Sequence, residues 1–485
     1  MDTSAANLEQ LLERRSRRLR GLVLALAFGC VVGLALAVLV RGFPAHVGGL
    51  ASDYRVLYAA GQLVSRGQSP YSVHHLAAAE QAALAYPAHA QTATAFAYPP
   101  PTAWVLSVLA RLPFWVSFGV FVGFCAAVAG LTLSLLARDL GWRHTAPLLV
   151  GVGASWIGLS GLFYGQFDAL LFAALAGAML LAWHDRPLAA GLVMGVVLLK
   201  PDLLWPAPCF MFLALWPRRD HALRFAAGFL PVLLIWLVGS YSQLPAWERA
   251  LAHFGQALAA QPDLAGLPGL LAAAPPGWGW RLGLGSGPTL AVVALALLGM
   301  VVLGTWMGRS PDWRRVSPVG RISWALGLAL GLWLLATPYD HSNDVLMLLP
   351  LFMLTVGRDA RRVHGLGLGP AVLAIIVLLL IWPALLLPWV PGLLLLGAGL
   401  VVALWRRTDP RLTGLGAGLC LLSLSLLPAV AAFHLLHASL TAIAVALLVV
   451  EGARTCWMEV GGAGTGPAYY SEPALGGVAP PPSGG

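Results

Sequence analysis

Seven side chains scattered along this sequence are of types that do chemistry: Asp53, Arg55, Tyr98, Gln166, Asp168, Lys200 and His341. An aspartate held within about 3 Å of a hydroxyl acts as a general base. A lysine ammonium binds a phosphate as a point charge. An imidazole near neutral pH binds an anion or orients a carboxylate. Tyrosine and glutamine supply hydrogen bonds to a sugar or phosphate.

Each residue also has a plain structural reading. Asp53 suits the first turn of a helix, where the dipole favours negative charge. Lys200 is the single lysine beside 28 arginines, and a lysine near a span end can snorkel to the headgroup level. Gln166 and Asp168 follow Gly165 and suit a helix cap as well as a binding turn. His341 lies in the cluster Tyr339-Asp340-His341-Ser342-Asn343-Asp344, which a polar inter-helix turn also explains. His74-His75 and His434/His437 lack a partner set for a metal.

The elements carrying these residues sit in lipid. The chain is 59% hydrophobic and 10% charged over 485 residues, against about a quarter charged in soluble domains. Apolar runs long enough for bilayer spans recur from Gly21 to Val450. They fall at 21–40, 114–137, 145–162, 167–183, 187–200, 203–216, 222–240, 289–307, 321–337, 344–357, 367–382, 393–405, 411–428 and 431–451, giving an all-α polytopic bundle of about 12–14 spans. The first run follows a basic stretch and lacks a small-residue cleavage site, so it reads as a retained span.

The net charge of +9 is arginine in short loops, as membrane topology requires, and does not point to nucleic acid. Placing those loops inside the cell collects about 22 of the 28 arginines there. All the candidate residues then share the outer face. Two long outer loops, 42–113 and 241–288, stand out because loops of that length usually carry function. In the first, Ser52 is expected to cap a helix stopped at Gly67 and Pro70. The apolar stretch from Tyr98-Pro99-Pro100-Pro101 to Arg111 is short for a span and reads as re-entrant or interfacial.

Four regions follow: a cytoplasmic basic N-terminus 1–20, a membrane module 21–360 containing both outer loops, C-terminal transmembrane helices 361–456, and a disordered Gly/Pro-rich tail 457–485. The five cysteines form no C-x-x-C pair and read as packing or lipid-facing residues. Walker, dinucleotide and G-x-S-x-G motifs are absent, which argues against direct use of a soluble nucleotide.

The ordered set Asp53-Tyr54, Gly67-Gln68-Ser69-Pro70-Tyr71, Tyr98-Pro99-Pro100, Gly165-Gln166, Ala190-Gly191, Lys200-Pro201 and Pro338 through His341 resembles glycosyltransferase family 87. Its best-known members are polyprenyl-phosphomannose-dependent mannosyltransferases of the GT-C superfamily. The resemblance runs from about residue 20 to about residue 360. Two departures occur: Phe167-Asp168 stands where an apolar residue and asparagine are expected, and Tyr339-Asp340 precedes His341.

The resemblance implies a GT-C-type helical bundle with a functional first outer loop. It implies transfer of a sugar, mannose by family habit, from a polyprenyl-phosphate donor to a lipid or glycan hydroxyl, with inversion. The expected place is the extracytoplasmic face of a bacterial-type inner membrane. Asp53 would be the base. Lys200, His341 and Arg55 would meet the donor phosphate, and Tyr98, Gln166 and Asp168 would orient substrate. No cofactor is expected, and a divalent-metal requirement stays open. A transporter or lipid flippase is the competing reading, and a non-catalytic membrane scaffold is a third.

Overall fold

A computed structural model describes residues 51–84, 96–140, 156–258, 287–337 and 342–359, with residue 152 and parts of 445–460. The expected spans at 21–40, 367–382, 393–405 and 411–428, most of 145–162 and 431–451, the N-terminal segment and nearly all of the tail lie outside the described residues.

The protein is an all-α polytopic membrane protein, without a strand among the described residues. Its helices are α1 (Ser52–Ser65), α2 (Val73–Leu84), α3 (Pro100–Leu109), α4 (Phe114–Asp139), α5 (Trp156–Tyr164), α6 (Asp168–Trp183) and α7 (Pro187–Met194). After a 3-10 turn (Gly195–Leu199) come α8 (Pro201–Leu204), α9 (Pro206–Leu215), α10 (Arg219–Tyr241), α11 (Leu244–Leu258), α12 (Gly287–Arg309), α13 (Pro311–Arg315) and α14 (Pro318–Ala336). A second 3-10 segment (Ser342–Leu348) leads into α15 (Leu349–Asp359).

Among the described residues four helices are long and apolar enough to cross a membrane: α4, α10, α12 and α14. Burial sorts them. α14 buries most of its length and forms the centre, whereas α4, α10 and α12 leave leucines, valines and aromatics exposed, as lipid-facing helices do. Phe124 on α4, Ile235 on α10 and Val301 on α12 are each more than half exposed.

The first outer loop is helical. Ser52 does not cap α1 as expected; the cap position is Ala51, in a left-handed conformation (φ 64°), whose N–H donates to the Phe163 carbonyl at 2.9 Å. Ser52 instead turns its Oγ to Asp53 Oδ1 at 3.2 Å. Gly67 supplies the expected left-handed stop (φ 70°). α3 has ten residues, about 15 Å at 1.5 Å per residue, half of a hydrocarbon core of about 30 Å. It packs along α1, where Gly61 leaves no room for a Cβ beside the Leu106 backbone, so it lies beside α1 as a non-spanning element.

Two further contacts set the frame. The Tyr54 hydroxyl meets Ser117 Oγ at 2.6 Å while its ring packs among Phe114, Phe118 and Phe121, fixing α1 to α4. α7 crosses α10 backbone to backbone: a Cβ on Gly191 would collide with the Phe225 carbonyl, and one on Gly228 with the Leu188 carbonyl. Small residues permit such close approach between membrane helices, where van der Waals packing drives association.

From that crossing, α7 and its 3-10 turn climb eight and five residues to Lys200, and α8 and α9 descend four and ten residues. Arg186 and Arg218 stand at the feet of this hairpin and Lys200 at its apex. Arms of about 20 Å are shorter than the hydrocarbon core. A hairpin of that length whose feet stood at one membrane surface would hold its apex short of the other.

Gly228→Leu should force α7 and α10 apart. A drop in detergent-phase thermal stability of about 2 kcal/mol or more is expected, while Gly123→Ala, with nothing within 4 Å of its Cβ position, should leave the melting curve unchanged or slightly raised. Thermal scanning of the purified variants checks both.

Candidate functional site

Asp53 is brought to the site by the first turn of α1, and the turn between α5 and α6 meets it there. That turn depends on Gly165. Its φ of 76° is one that side-chain-bearing residues rarely adopt, and a Cβ would stand 2.5 Å from Tyr54 Cβ. The bend lets the Gln166 Nε2 donate to Asp53 Oδ2. Asp53 is half-buried and Gln166 is buried, so this hydrogen bond orients a carboxylate that is still reachable.

Asp168 begins α6, 1% exposed, and its Oδ1 lies 3.8 Å from Lys200 Nζ. The ammonium donates to Asp344 Oδ1 at 2.6 Å, and Asp344 is fully enclosed at the start of the second 3-10 segment. The helix break at Lys200-Pro201 aims the side chain between these carboxylates, because proline cannot continue the preceding hydrogen-bond ladder. Three separate elements, α6, the hairpin apex and the 342–348 segment, thus meet on one positive charge.

Tyr98 lies over the same place. Its ring packs edge-on to Phe167 at 5.6 Å, its carbonyl accepts from the Tyr71 hydroxyl at 2.8 Å, and Trp247 of α11 donates to the neighbouring Ala97 carbonyl at 2.8 Å. Burial pushes the Tyr98 phenol well above its ordinary value; Lys200 opposes this, and Asp53, Asp168 and Asp202 add to it. Asp202, just past the apex, accepts through its backbone carbonyl from Trp333 Nε1 at 2.8 Å.

Arg55 lies two residues after Asp53 on α1 and pairs with an acid of the next helix. Its Nε lies 3.2 Å from Glu80 Oε2 on α2, tying the first two helices together. Burial raises the Glu80 carboxyl from 4.5 to about 7, with Arg55 opposing. His341 lies outside the described residues, three positions before Asp344 in the sequence.

Of the seven sequence candidates, the structure therefore gathers Asp53, Tyr98, Gln166, Asp168 and Lys200 at one end of the bundle. At the opposite end stand the Asp139–His184 and Asp185–Arg218 pairs and the arginines of α13 and α14. Asp344 and Glu80 were missed as partners. The one available signal was an acid directly before the apolar run 345–354, where only a buried counter-ion makes a carboxylate tolerable. His74 and His75 are exposed neighbours with rings 5.9 Å apart, and among the described residues no group of three or more His, Cys, Asp or Glu is placed to hold a metal.

A family model described as glycosyltransferase family 87 matches residues 96–338, half of the chain. No curated protein and no solved structure matches.

Because Glu80 holds its proton more tightly when folded than when unfolded, its contribution to stability is complete below about pH 4.5 and is lost as pH rises through about 7. Glu80→Gln, which cannot ionise, should flatten that part of the profile. Melting temperatures of wild type and variant between these limits check it, with wild type losing ground to the variant as pH rises.

Proposed function

The chain belongs to glycosyltransferase family 87, and on that premise we propose that it moves a sugar from a polyprenyl-phosphate-linked donor to a lipid or glycan hydroxyl. The sugar is mannose by family analogy. The bundle is of GT-C type, and the reaction takes place at the extracytoplasmic face of a bacterial-type inner membrane with inversion at the anomeric carbon. The arginine-rich end then faces the cytoplasm, as the positive-inside rule requires.

The observation that carries this reading is the half-buried Asp53 carboxylate, oriented by Gln166 beside Tyr98, Asp168 and Lys200. A carboxylate has about four lone-pair sites, so its bonds from Ser52 and Gln166 leave capacity for an acceptor hydroxyl. Asp53 takes the acceptor proton as the oxygen attacks the anomeric carbon. The bond from that carbon to the phosphate oxygen breaks, and the lipid phosphate leaves with the electron pair.

The leaving phosphate needs positive charge close by. Lys200 already carries Asp344 and Asp168, so its field on a phosphate is largely cancelled. The reading gives it the task of holding the apex in position and assigns the leaving group to His341, with Arg55 at the α1 edge. Tyr98 and Asp168 are given the task of orienting the sugar. A recessed apex suits a donor whose phosphate sits at the membrane surface while its tail stays in lipid.

Purified protein in lipid, given radiolabelled polyprenyl-phosphomannose and candidate lipid acceptors, tests this. Asp53→Asn should lower transfer about 10²- to 10⁴-fold, the usual contribution of a general base. Equal transfer by the two proteins would remove Asp53 from the mechanism, and no transfer from any polyprenyl donor would overturn the donor class.

A further inference from the structure

The second long loop, 241–288, has no part in the reaction proposed above. Its first helix, α11, begins two residues after the end of α10 and is fastened to the segment that carries Tyr98. Trp247, half-buried on α11, donates its indole N–H to the Ala97 carbonyl at 2.8 Å. A second indole contact runs the other way: near the end of α10, a Cβ on Gly239 would run into the Trp104 ring of α3. The corner between α10 and α11 is thus seated against residues on both sides of the proline run 99–101.

The prolines make that seating important. Pro99, Pro100 and Pro101 have no N–H, so this stretch cannot donate to a neighbour and is held through what the carbonyls along it accept. The Ala97 carbonyl accepts from Trp247, the Tyr98 carbonyl from the Tyr71 hydroxyl at 2.8 Å, and the Pro99 carbonyl from the Thr102 N–H at 3.0 Å. One bond comes from α11, one from the link between α1 and α2, and one from α3 itself. The Tyr98 ring adds apolar contacts with Phe96 and Phe167, each at 5.6 Å between centroids. Such contacts are non-directional and set position less sharply than the hydrogen bonds do.

We propose that Trp247 is a positioning residue for sugar transfer: its hydrogen bond to the Ala97 carbonyl fixes where the Tyr98 side chain meets the sugar. Trp247 touches no reacting group and acts through Tyr98. Without its N–H, the half-buried Ala97 peptide loses the one bond that ties this segment to α11, and the segment is free to shift. A displacement of about 1 Å in a group that orients substrate can cost about 10²-fold in rate. The effect on rate rests on the reaction proposed above; the dependence of the position of Tyr98 on Trp247 does not.

The experiment has two arms, both on the full-length protein. In the first, transfer from radiolabelled polyprenyl-phosphomannose is compared for wild type, Trp247→Phe, Tyr98→Phe and the double variant. Trp247→Phe should lower kcat/KM about 10- to 100-fold, and the double variant should lose no more than Tyr98→Phe alone. In the second arm, 3-fluorotyrosine replaces the tyrosines and the Tyr98 fluorine resonance is assigned by its loss in Tyr98→Phe. Trp247→Phe should shift or broaden that resonance and leave the Tyr54 resonance, assigned in the same way, in place. Trp247→Met takes the place of Trp247→Phe in both arms if the phenylalanine variant does not fold. A Tyr98 resonance unmoved by loss of Trp247 overturns the inference whether or not transfer is seen. Wild-type rates in Trp247→Phe, or losses that multiply in the double variant, also overturn it. If wild type transfers from no donor, the proposed reaction fails and the fluorine arm alone decides.

Discussion

A single ammonium, Lys200, set between two enclosed carboxylates is the interaction on which the arrangement of this protein's site depends. Lys200 reaches Asp344 at 2.6 Å and Asp168 at 3.8 Å from the apex of the α7–α9 hairpin. Ionisable groups enclosed in a membrane bundle are tolerated only when they pair. The pairing draws α6, the α7–α9 hairpin and the segment after α14 to a common point. Because Asp168 begins α6, the same contact fixes the turn before it, and so the place of Gln166 against Asp53.

The rest of the bundle makes that meeting possible through close approach. Gly191 and Gly228 let α7 and α10 touch at the backbone, and Gly165 bends the chain against Tyr54. Tyr54 in turn is bound to α4 through Ser117 and a set of phenylalanine rings. The carboxylate proposed as base therefore rests on an aromatic core in place of a loose loop, although sequence position alone puts it in an extramembrane segment. Catalytic geometry of this kind depends on rigid support, since small displacements of a reacting group are costly.

The membrane architecture was legible because hydropathy and arginine placement report directly on solvent. The runs at 114–137, 222–240, 289–307 and 321–337 match α4, α10, α12 and α14 closely. The shared end of Asp53, Gln166 and Lys200 also followed from alternation of spans. What the letters did not reveal was pairing. Lys200 looked like a free cation for a phosphate or a snorkelling side chain, because nothing in the sequence places residue 344 beside residue 200. Ser52 looked like a cap because serine usually is one; here the Phe163 carbonyl holds Ala51 and displaces it. Long-range contacts of this sort are set by packing, which a local pattern does not encode.

The central claim is that the positive charge at the hairpin apex exists to hold the buried carboxylates. A double-mutant cycle on Lys200→Met and Asp344→Leu, read as unfolding free energy in detergent, tests it most directly. Loss of Lys200 alone should cost about 3–5 kcal/mol, because it strands buried carboxylates, and removal of Asp344 in the same protein should recover a large part of that loss. Losses that simply add would mean that the two charges act independently and would contradict the account.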